Sequence, residues 1–523
     1  MSNRGIKPLL PKKLPENVRA IPVTILPLNP TENSTPAALR AFLEQCAAAS
    51  RATGRPQLAS ISVAVDSLDP LAVLESIFEP TQLHFYAERP AEGLAVAGAE
   101  AVLEFSASGP TRFAAAKDFI ARTLDNAIAV GSLNQSFSGP HFFLAGAFAD
   151  EAAHGAPFPS LRLFVPRWQV SRCGDVSVAV ANLLITPELP LDLVTAKVWK
   201  AHTKFRSFDY SAAPDHGRPS APRQTVEIGG DGSYQKAVTT ALGEIARGDY
   251  GKIVLARAQR LTTDEPFHPM GVLNHLRQRF AGCWAFSVAN GSGQSFIGAT
   301  PERLVRVADG RLHTAALAGT APRGQSASED AAIARTLLHS EKDLREHRAV
   351  LGSIERRLAN LDLKLEYSAA PRVLGLANVQ HLHTPISAPL PAKVHILDLV
   401  ERLHPTPAVG GTPRAPAVAA IARLEAFDRG LYAGPLGWVD HRGGGEFLVG
   451  IRSALIDGCT ATAYAGAGIV AGSDPQKEFA ETELKFKALV EALTNRSGVA
   501  PMKLWPEPFA TEKAQQPAKR CRR

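Results

Sequence analysis

The chain has 523 residues, of which 45% are apolar and 20% are charged. This composition is typical of globular proteins and excludes a disordered or fibrous chain. No stretch approaches the ~18 consecutive apolar residues that span a bilayer, and no apolar segment of a secretory signal follows the basic N-terminus. We therefore expect a cytoplasmic protein that makes no membrane contact.

The net charge of +7 is concentrated at the two ends of the chain. Residues 1–20 and residues 501–523 each carry a net charge of +4, so the body between them is close to neutral. Because a basic tail is a diffuse electrostatic feature and not a recognition face, we expect no nucleic-acid partner. The five cysteines are scattered without C-x-x-C spacing, which argues against a zinc site or a disulfide framework.

The first half of the chain predicts a loose basic tail over residues 1–35, followed by a mixture of helices and strands. Apolar periodicity predicts helices over Pro36–Leu43 and Phe113–Ile128. The predicted strands are Leu58–Val65, His84–Ala87, Ala101–Phe105, His141–Ala147, Leu161–Val165 and Val176–Leu184. The Pro-, Gly- and Ser-rich stretch Ser211–Ser233 predicts a long loop.

The second half predicts helices over Tyr234–Arg247, Glu329–Leu361 and Asp474–Leu493. Its predicted strands are Lys252–Leu261, Cys283–Val288, Ser295–Gly298, Leu436–Val439, Phe447–Ile456 and Thr460–Ala465. A turn is expected at Ala299–Pro301, and Gly443–Gly445 is expected to close a hairpin. Because the strands are grouped and do not alternate strictly with helices, the predicted fold class is α+β. A second basic tail is expected from residue 497 to 523.

Two predicted helices each carry a pair of acids along one edge of the apolar face. At ~100° per residue, Asp343 and Glu346 lie beside one apolar stripe, and Glu478 and Glu481 lie beside the other. Four carboxylates brought together need a cation or protons between them, and oxygen ligands without His or Cys suit Mg²⁺. Acids spaced i, i+3 are also common on solvated helix surfaces, so the pattern alone leaves both interpretations open.

Two further residues are candidates for proton transfer. Lys252 begins an apolar strand, where it either caps the strand in water or, if desolvated, acts as a general base. Glu302 follows a strand and a Thr-Pro turn, a place where rigid scaffolds display catalytic groups, although loop carboxylates are usually solvated. The stretch Gly466–Gly472 (GAGIVAG) is expected between a strand and a helix. It lacks the spacing of a dinucleotide fingerprint but offers backbone N–H groups to an anion.

Taken together, these segments resemble the chorismate-utilising enzymes, a family that includes isochorismate, salicylate, anthranilate and aminodeoxychorismate synthases. The resemblance covers about residues 230–494 and is most similar to isochorismate synthases. The matching motifs are GKIVLAR (251–257), GATPERLVR (298–306), ALAGT (316–320), SEKDLREH (340–347), VQHL (379–382), LHPTPAVGG (403–411), DRGLYAGPLGW (428–438), LVGIRSAL (448–455) and AGAGIVAGSDPQKEFAETELK (465–485).

The resemblance implies one large domain over residues 36–496, with two antiparallel sheets flanked by helices. Strands would come from both the N-terminal half (36–210) and the catalytic motif region (234–494), so the loop over 211–233 would not be a domain boundary. It also implies a monomer that binds chorismate and supplies a separate enzyme acting on isochorismate. The product would enter salicylate, siderophore or menaquinone biosynthesis.

Residue roles follow from the same resemblance. Lys252 matches the base that activates water for attack at chorismate C2, and Glu302 matches the acid that protonates the leaving C4 hydroxyl. Glu346 and Glu481 match direct Mg²⁺ ligands, supported by Asp343 and Glu478. The residues that match substrate-contacting positions are Gly319, Thr320, His381, Ala408, Tyr432, Arg452, Gly466 and Lys485.

The alternatives are a salicylate synthase, which continues to salicylate and pyruvate, and an anthranilate-type synthase component. Salicylate synthases tend to carry Thr at the position of Ala408, which favours a reaction that stops at isochorismate. The chain has no amidotransferase motif, and Lys252 lies in the water-activating context. An inactive relative that only binds ligands is disfavoured because Lys252, Glu302 and the four acids are all intact.

Overall fold

The computed structural model describes residues 24–25, 35–77, 79–206, 208, 210, 222–375 and 379–494. In this part of the chain there are eleven α-helices: α1 Pro36–Thr53, α2 Pro70–Ser76, α3 Arg112–Leu124, α4 Leu191–Arg206, α5 Ser233–Arg247, α6 Pro269–Arg279, α7 Ala327–His339, α8 Glu341–Leu358, α9 Ile396–Leu403, α10 Arg414–Leu424 and α11 Pro475–Thr494. None of these described helices is long and apolar enough to cross a membrane.

The same residues form 22 strands. Those of the N-terminal half are β1 Thr24–Ile25, β2 Gln57–Val65, β3 His84–Arg89, β4 Leu94–Ala107, β5 Ala127–Gly131, β6 His141–Gly146, β7 Leu161–Cys173 and β8 Val176–Ile185. The others are β9 Gln224–Glu227, β10 Lys252–Thr262, β11 Trp284–Ala289, β12 Gln294–Thr300, β13 Arg303–Ala308, β14 Arg311–Pro322, β15 Glu366–Tyr367, β16 Arg372–Gly375, β17 Val379–Pro389, β18 Gly411–Thr412, β19 Pro435–Asp440, β20 Gly445–Val449, β21 Ser453–Asp457 and β22 Thr460–Val470.

The strands form two sheets that are continuous through β4 and β7. The hydrogen-bonded order of sheet one is β1, β5, β2, β8, β7, β4, β3, β11, β12, β21, β22, β10, β9. Sheet two runs β4, β7, β6, β19, β20, β13, β14, β17, with β15 and β16 on the far edge of β17. A register shift between Ala101 and Leu103 divides β4 between the two sheets.

The prediction of two antiparallel sheets holds except at one edge. There β5 pairs in parallel with both β1 and β2. The short strand β1 lies within residues 1–35, so the prediction of a loose tail is wrong for Thr24 and Ile25. The rest of that segment outside Thr24–Ile25 and Thr35, and the whole tail over 497–523, lie outside the described residues.

The two sheets pack face to face through aromatic side chains. Phe85 of β3 stacks on Phe143 of β6 with ring centroids 4.7 Å apart. Trp438 of β19 contacts Trp284 of β11, with centroids 5.8 Å apart, and Phe85 at 6.2 Å. Since β3 and β11 belong to sheet one and β6 and β19 to sheet two, the core joins strands from both halves of the chain. The limits of a single domain over 36–496 stay a prediction.

Several predicted elements have different ends in the structure. The predicted helix Glu329–Leu361 is two helices, because Ser340 adopts an extended backbone (ψ 109°) and its side chain caps α8 by accepting from the Asp343 N–H. The helix predicted over Phe113–Ile128 ends at Leu124, and β5 begins at Ala127. The strand predicted over Phe447–Ile456 is broken by a turn in which Arg452 has φ 54°.

Three turn or loop predictions are also wrong in part. Residues 224–227 of the predicted loop Ser211–Ser233 form β9, which pairs with the end of β10, while residues 211–221 lie outside the described part. Ala299 and Thr300 belong to β12 and not to a turn. Gly466–Val470 are not a loop but the end of β22, where the strand is hydrogen-bonded to β10 along one edge.

Candidate active site

Lys252 lies at the start of β10, between β22 on one side and β18 on the other. Its Nζ donates to Glu346 Oε1 of α8 at 2.6 Å, and the two side chains are 15% and 32% exposed. The path of the lysine side chain depends on Gly468 of β22, where an added Cβ would lie 3.2 Å from Lys252 Cε. The strand pairing therefore aims the lysine at the helix that carries the first pair of acids.

Glu302 lies in the connection from β12 in sheet one to β13 in sheet two. Its N–H donates to Thr300 Oγ1 at 3.1 Å, and its carbonyl accepts from the Val449 N–H at 3.0 Å. Burial raises the pKa of the Glu302 carboxyl to about 7, against the opposing effects of a hydrogen bond from Thr406 and the charge of Lys252. A carboxyl with this pKa keeps its proton in a large fraction of molecules near neutral pH and can donate it.

The acids of α8 are held by the helix start and by a close glycine. Ser340 donates to Asp343 Oδ2 and accepts from the Asp343 N–H at 3.3 Å. Gly319 of β14 lies against this residue, because an added Cβ would come within 3.1 Å of Asp343 Cβ, and its φ of 78° also favours glycine. Asp343 is therefore fixed in the first turn of α8, one turn before Glu346.

The acids of α11 lie near a lysine from the same helix. Lys485 Nζ donates to Glu481 Oε1 at 2.7 Å and to the Gly466 carbonyl at 2.7 Å. Burial and the nearby Glu481 raise the pKa of Glu478, while Ser473 and the charges of Lys485 and Lys342 act in the opposite direction. Because Lys342 belongs to α8, the N-terminal parts of α8 and α11 are within electrostatic reach of each other.

The donor set suits a hard divalent cation, although the side chains are not gathered around one point. Among the described residues, no three His, Cys, Asp or Glu side chains are arranged to hold a metal ion together. The two glutamates expected to be direct ligands instead each bind a lysine ammonium group, Glu346 with Lys252 and Glu481 with Lys485. All four acids offer only oxygen, so their chemistry fits Mg²⁺, and the lysines show that cations are stabilised there.

Arg452 and Lys485 offer positive charge to an anionic ligand. Arg452 lies in the turn from β20 of sheet two to β21 of sheet one, and no described carboxylate forms an ion pair with it. Burial lowers the pKa of both Arg452 and Lys485. An unpaired guanidinium in a partly buried turn is suited to a carboxylate, which it can bind through two parallel hydrogen bonds.

Neutral polar groups complete this side of the site. Thr320 Oγ1 and His381 Nδ1 are 2.9 Å apart on paired positions of β14 and β17. Burial, with a smaller contribution from Arg452, lowers the pKa of His381 to about 4, so its imidazole is neutral. Burial raises the pKa of Tyr432 to about 12, and its hydroxyl lies so close to Gly466 that an added Cβ there would be 2.8 Å away.

A cavity of about 380 Å³ adjoins Arg452 and Lys485. Its other lining residues come from the end of α6, the connection from α6 to β11, the end of β12, the edge of sheet two and α11: Leu276, Arg279, Phe280, Ala281, Gly282, Cys283, Ala299, Pro301, Arg323, Gly375 and Leu489. The cavity gives a small anionic molecule a route to the two cationic side chains.

Ala408 lies in the loop between α9 and β18, partly buried beside buried Val409. The loop folds back on Thr406, whose carbonyl accepts from the N–H groups of Val409 and Gly410 at 3.2 and 2.9 Å. This turn places Thr406 against Glu302. Ala408 lies two residues farther along the same turn.

Sequence reasoning gave no role to a buried ion pair between Glu425 and Arg429, whose side chains are 2% and 3% exposed. Arg429 donates to the carbonyls of Val254 and Val409 at 2.7 and 2.9 Å, and Glu425 accepts from the Ala256 N–H at 2.7 Å. The pair thereby joins the strand that carries Lys252 to the loop that carries Ala408. The one feature of the sequence that could have pointed to Arg429 is its position inside the motif at 428–438.

Comparison with known proteins shows the family of this chain. The model of the family described as "Chorismate binding enzyme" matches residues 41–494. The chain belongs to this family.

Within the family, the chain is 36% identical over 468 residues to the salicylate biosynthesis isochorismate synthase of Pseudomonas aeruginosa, covering 88% of this chain and 95% of that protein. Its fold is similar to the menaquinone-specific isochorismate synthase MenF from Escherichia coli, with a TM-score of 0.71, 28% identity, and coverage of 84% of this chain and 95% of that one. Anthranilate synthase component I from Streptococcus pneumoniae shares the fold at a TM-score of 0.62 and 20% identity, covering 76% of this chain and 92% of that one.

Proposed function

We propose that this member of the chorismate-binding family is an isochorismate synthase, an Mg²⁺-dependent isomerase that converts chorismate to isochorismate. The observation that carries the proposal is the placement of Glu302, a carboxyl whose pKa is raised to about 7, within electrostatic reach of Lys252. The candidate acid and the candidate base are thus held near each other, Glu302 by the connection from β12 to β13 and Lys252 by β10. The names of the full-length relative from Pseudomonas and of the neighbour from E. coli support the same reaction.

The proposed reaction transfers a hydroxyl group without a change in oxidation state. Lys252, as the free amine, takes a proton from a water molecule, whose oxygen attacks C2 of the ring. The ring double bond shifts, and the C4 hydroxyl leaves as water after accepting a proton from Glu302. Since one water enters and one leaves, substrate and product are isomers. Lys252 then releases the proton it gained, and Glu302 regains the proton it gave, both by exchange with solvent.

The substrate carboxylates would be held by Arg452 and Lys485, with the neutral hydroxyl of Tyr432 nearby. The residues that would hold Mg²⁺ are Glu346 and Glu481, with Asp343 and Glu478 in support. When bound, the cation would neutralise the ring carboxylate and fix its orientation. For Lys252 to act as the base, its ammonium group must leave Glu346 Oε1, its partner at 2.6 Å in this structure.

Ala408 supports release of isochorismate as the end of the reaction. An alanine offers no hydroxyl to hold the enolpyruvyl side chain against the ring, so the intermediate leaves before pyruvate is eliminated. A salicylate synthase is the alternative that this interpretation disfavours. The cytoplasmic location, the monomeric state and a separate enzyme that consumes isochorismate stay predictions.

The test is the early product ratio of the purified full chain with chorismate and Mg²⁺, separated by chromatography. We expect isochorismate in near-equilibrium with chorismate, and salicylate only after a lyase is added. Lys252→Ala should lower kcat by roughly 10²–10⁴. Salicylate and pyruvate formed stoichiometrically from the first turnovers would replace the proposal by a salicylate synthase, and an unchanged rate in Lys252→Ala would remove that residue from the chemistry.

A further inference from the structure

The side chain that fixes the Glu302 carboxyl is Thr406. Thr406 Oγ1 donates to Glu302 Oε1 at 3.3 Å, and in the described part of the chain no other side chain is found hydrogen-bonded to this carboxyl. The backbone of Glu302 is already held by Thr300 Oγ1 and the Val449 N–H, so Thr406 acts on the remaining freedom, the rotation of the carboxyl group.

The loop that carries Thr406 is anchored on both sides of this residue. Arg357 Nη1 donates to the Pro405 carbonyl at 2.6 Å, and Arg414 Nη1 donates to the His404 carbonyl at 2.7 Å. On the other side, the Gly410 carbonyl accepts from the Val254 N–H at 2.9 Å and Arg429 binds the Val409 carbonyl. A hydroxyl group on a loop fixed at this many points has a defined direction.

We propose that Thr406 is a positioning residue for proton donation, which orients the Glu302 carboxyl through the hydrogen bond to Oε1. This rests on the proposed function, in which Glu302 is the acid. A protonated carboxyl has one carbonyl oxygen and one hydroxyl oxygen. Because Oε1 accepts from Thr406, Oε1 is the carbonyl oxygen and the proton resides on Oε2, which is left free to deliver it.

The same hydrogen bond influences the charge state of Glu302. It favours the carboxylate and so works with the charge of Lys252 against the burial that raises the Glu302 pKa. Among the described residues, the ionisable groups coupled to Glu302 are Lys252 of β10 and Tyr432, which precedes β19. Without the Thr406 hydroxyl the carboxyl would hold its proton to a higher pH. Since the acid is active when protonated, the alkaline limb of the rate profile would move to higher pH.

The experiment compares Thr406→Val, which removes the hydroxyl at nearly constant shape, with Thr406→Ser, which retains it. A misplacement of about 1 Å costs on the order of 10²-fold in rate, so for one lost orienting bond we expect kcat to fall about tenfold in Thr406→Val, with KM little changed. The alkaline limb of its kcat/KM profile should shift upward, and Thr406→Ser should restore both properties. Thr336→Val, on an exposed face of α7, is the control and should behave as wild type.

The outcomes separate the two proposals. If the wild-type chain does not convert chorismate, the proposed function fails and this role fails with it. If wild type is active and Thr406→Val keeps its kcat and its alkaline limb, the positioning role alone is wrong. Equal losses in the Val and Ser variants would also overturn it, because they would assign the effect to shape. If Thr406→Val does not fold, Thr406→Ala takes its place in the same comparison.

Discussion

The chemistry proposed for single residues depends on burial more than on residue type. Glu302 is a carboxyl on a connection between strands, yet burial raises its pKa from 4.5 to about 7. Lys252 is a lysine at a strand end, yet the pairing of β10 with β22 and the absence of a side chain at Gly468 direct it to α8. The sequence identified both residues. The raised pKa of Glu302 and the direction of the Lys252 side chain, however, are set by residues far away in the chain.

Replacing Glu302 by Gln should separate catalysis from stability. Between pH 4.5 and about 7 the folded protein binds more protons than the unfolded chain at this site, so its stability decreases as pH rises through that window. Above about pH 7 the buried carboxylate continues to lower the free energy of unfolding, and a neutral amide does not have this effect. We expect Glu302→Gln to lower kcat by roughly 10²–10⁴ and to raise the free energy of unfolding at pH 8 by up to about 3 kcal/mol.

Thermal unfolding at pH 8 and at pH 4 measures the second effect, with the exposed Glu188→Gln as control. The gain should be nearly lost at pH 4, where the carboxyl is mostly protonated in both states. A variant that is less stable than wild type at pH 8 would show that the Glu302 carboxylate is stabilised by its surroundings, contrary to the proposed role.

At the scale of elements, helices α8 and α11 bring two pairs of acids to one end of the sheets. The sequence predicted the acid pairs and their position beside the apolar faces. In α8 the face next to the acids is the buried one, with His347, Val350, Ile354 and Leu358. The sequence analysis missed the break between α7 and α8 at Ser340. A Ser followed three residues later by Asp is a helix-start pattern that could have revealed this break. The break makes Asp343 a first-turn residue.

We expect Glu346→Gln and Glu481→Gln each to abolish turnover while the fold stays intact, because a neutral amide is a poor Mg²⁺ ligand. Calorimetric titration with Mg²⁺ should show weakened binding in both variants, a readout that does not depend on turnover. Glu341→Gln, an exposed acid in the first turn of the same helix, is the matched control. EDTA should stop the wild type and added Mg²⁺ should restore it. Full activity in excess EDTA would contradict the metal requirement.

At the scale of the whole molecule, the site lies where the chain passes between the two sheets. Glu302 lies on the passage from β12 to β13, and Arg452 lies on the passage from β20 to β21. Other site residues come from β10 and β22 of sheet one and from β14 and β17 of sheet two. The relative position of the sheets therefore decides the geometry of the site, and the aromatic core between them maintains it.

Trp438→Ala should test that core. The indole is 4% exposed and contacts aromatic rings of β3 and β11 across the interface between the sheets. Loss of a buried aromatic side chain of this size costs about 3–5 kcal/mol. We expect a large drop in the unfolding temperature, measured by calorimetry, while Leu484→Ala, at a side chain 69% exposed, should have little effect. A small effect of Trp438→Ala would mean that the sheets do not depend on this contact.

The sequence by itself determined what is encoded over short distances. Periodicity and turn residues gave the α+β class, most of the strands and the acid pairs, and the ordered motifs gave the family. It did not give β9, because a four-residue strand forms only when the edge of β10 is available to it. It did not give the parallel pairing of β5, which joins segments far apart in the chain.

Only the tertiary structure decided the electrostatic state of the site. The Glu302 pKa depends on burial and on Thr406, 104 residues farther along the chain, and Lys252 finds Glu346 94 residues away. Motifs supplied candidate roles for several of these residues, but not the partner of each side chain. Such pairings arise because hydrogen bonds and desolvation act over a few ångströms in space, whatever the separation in sequence. The chain alone specifies which groups are present, and the packing of two sheets and two helices specifies which of them meet.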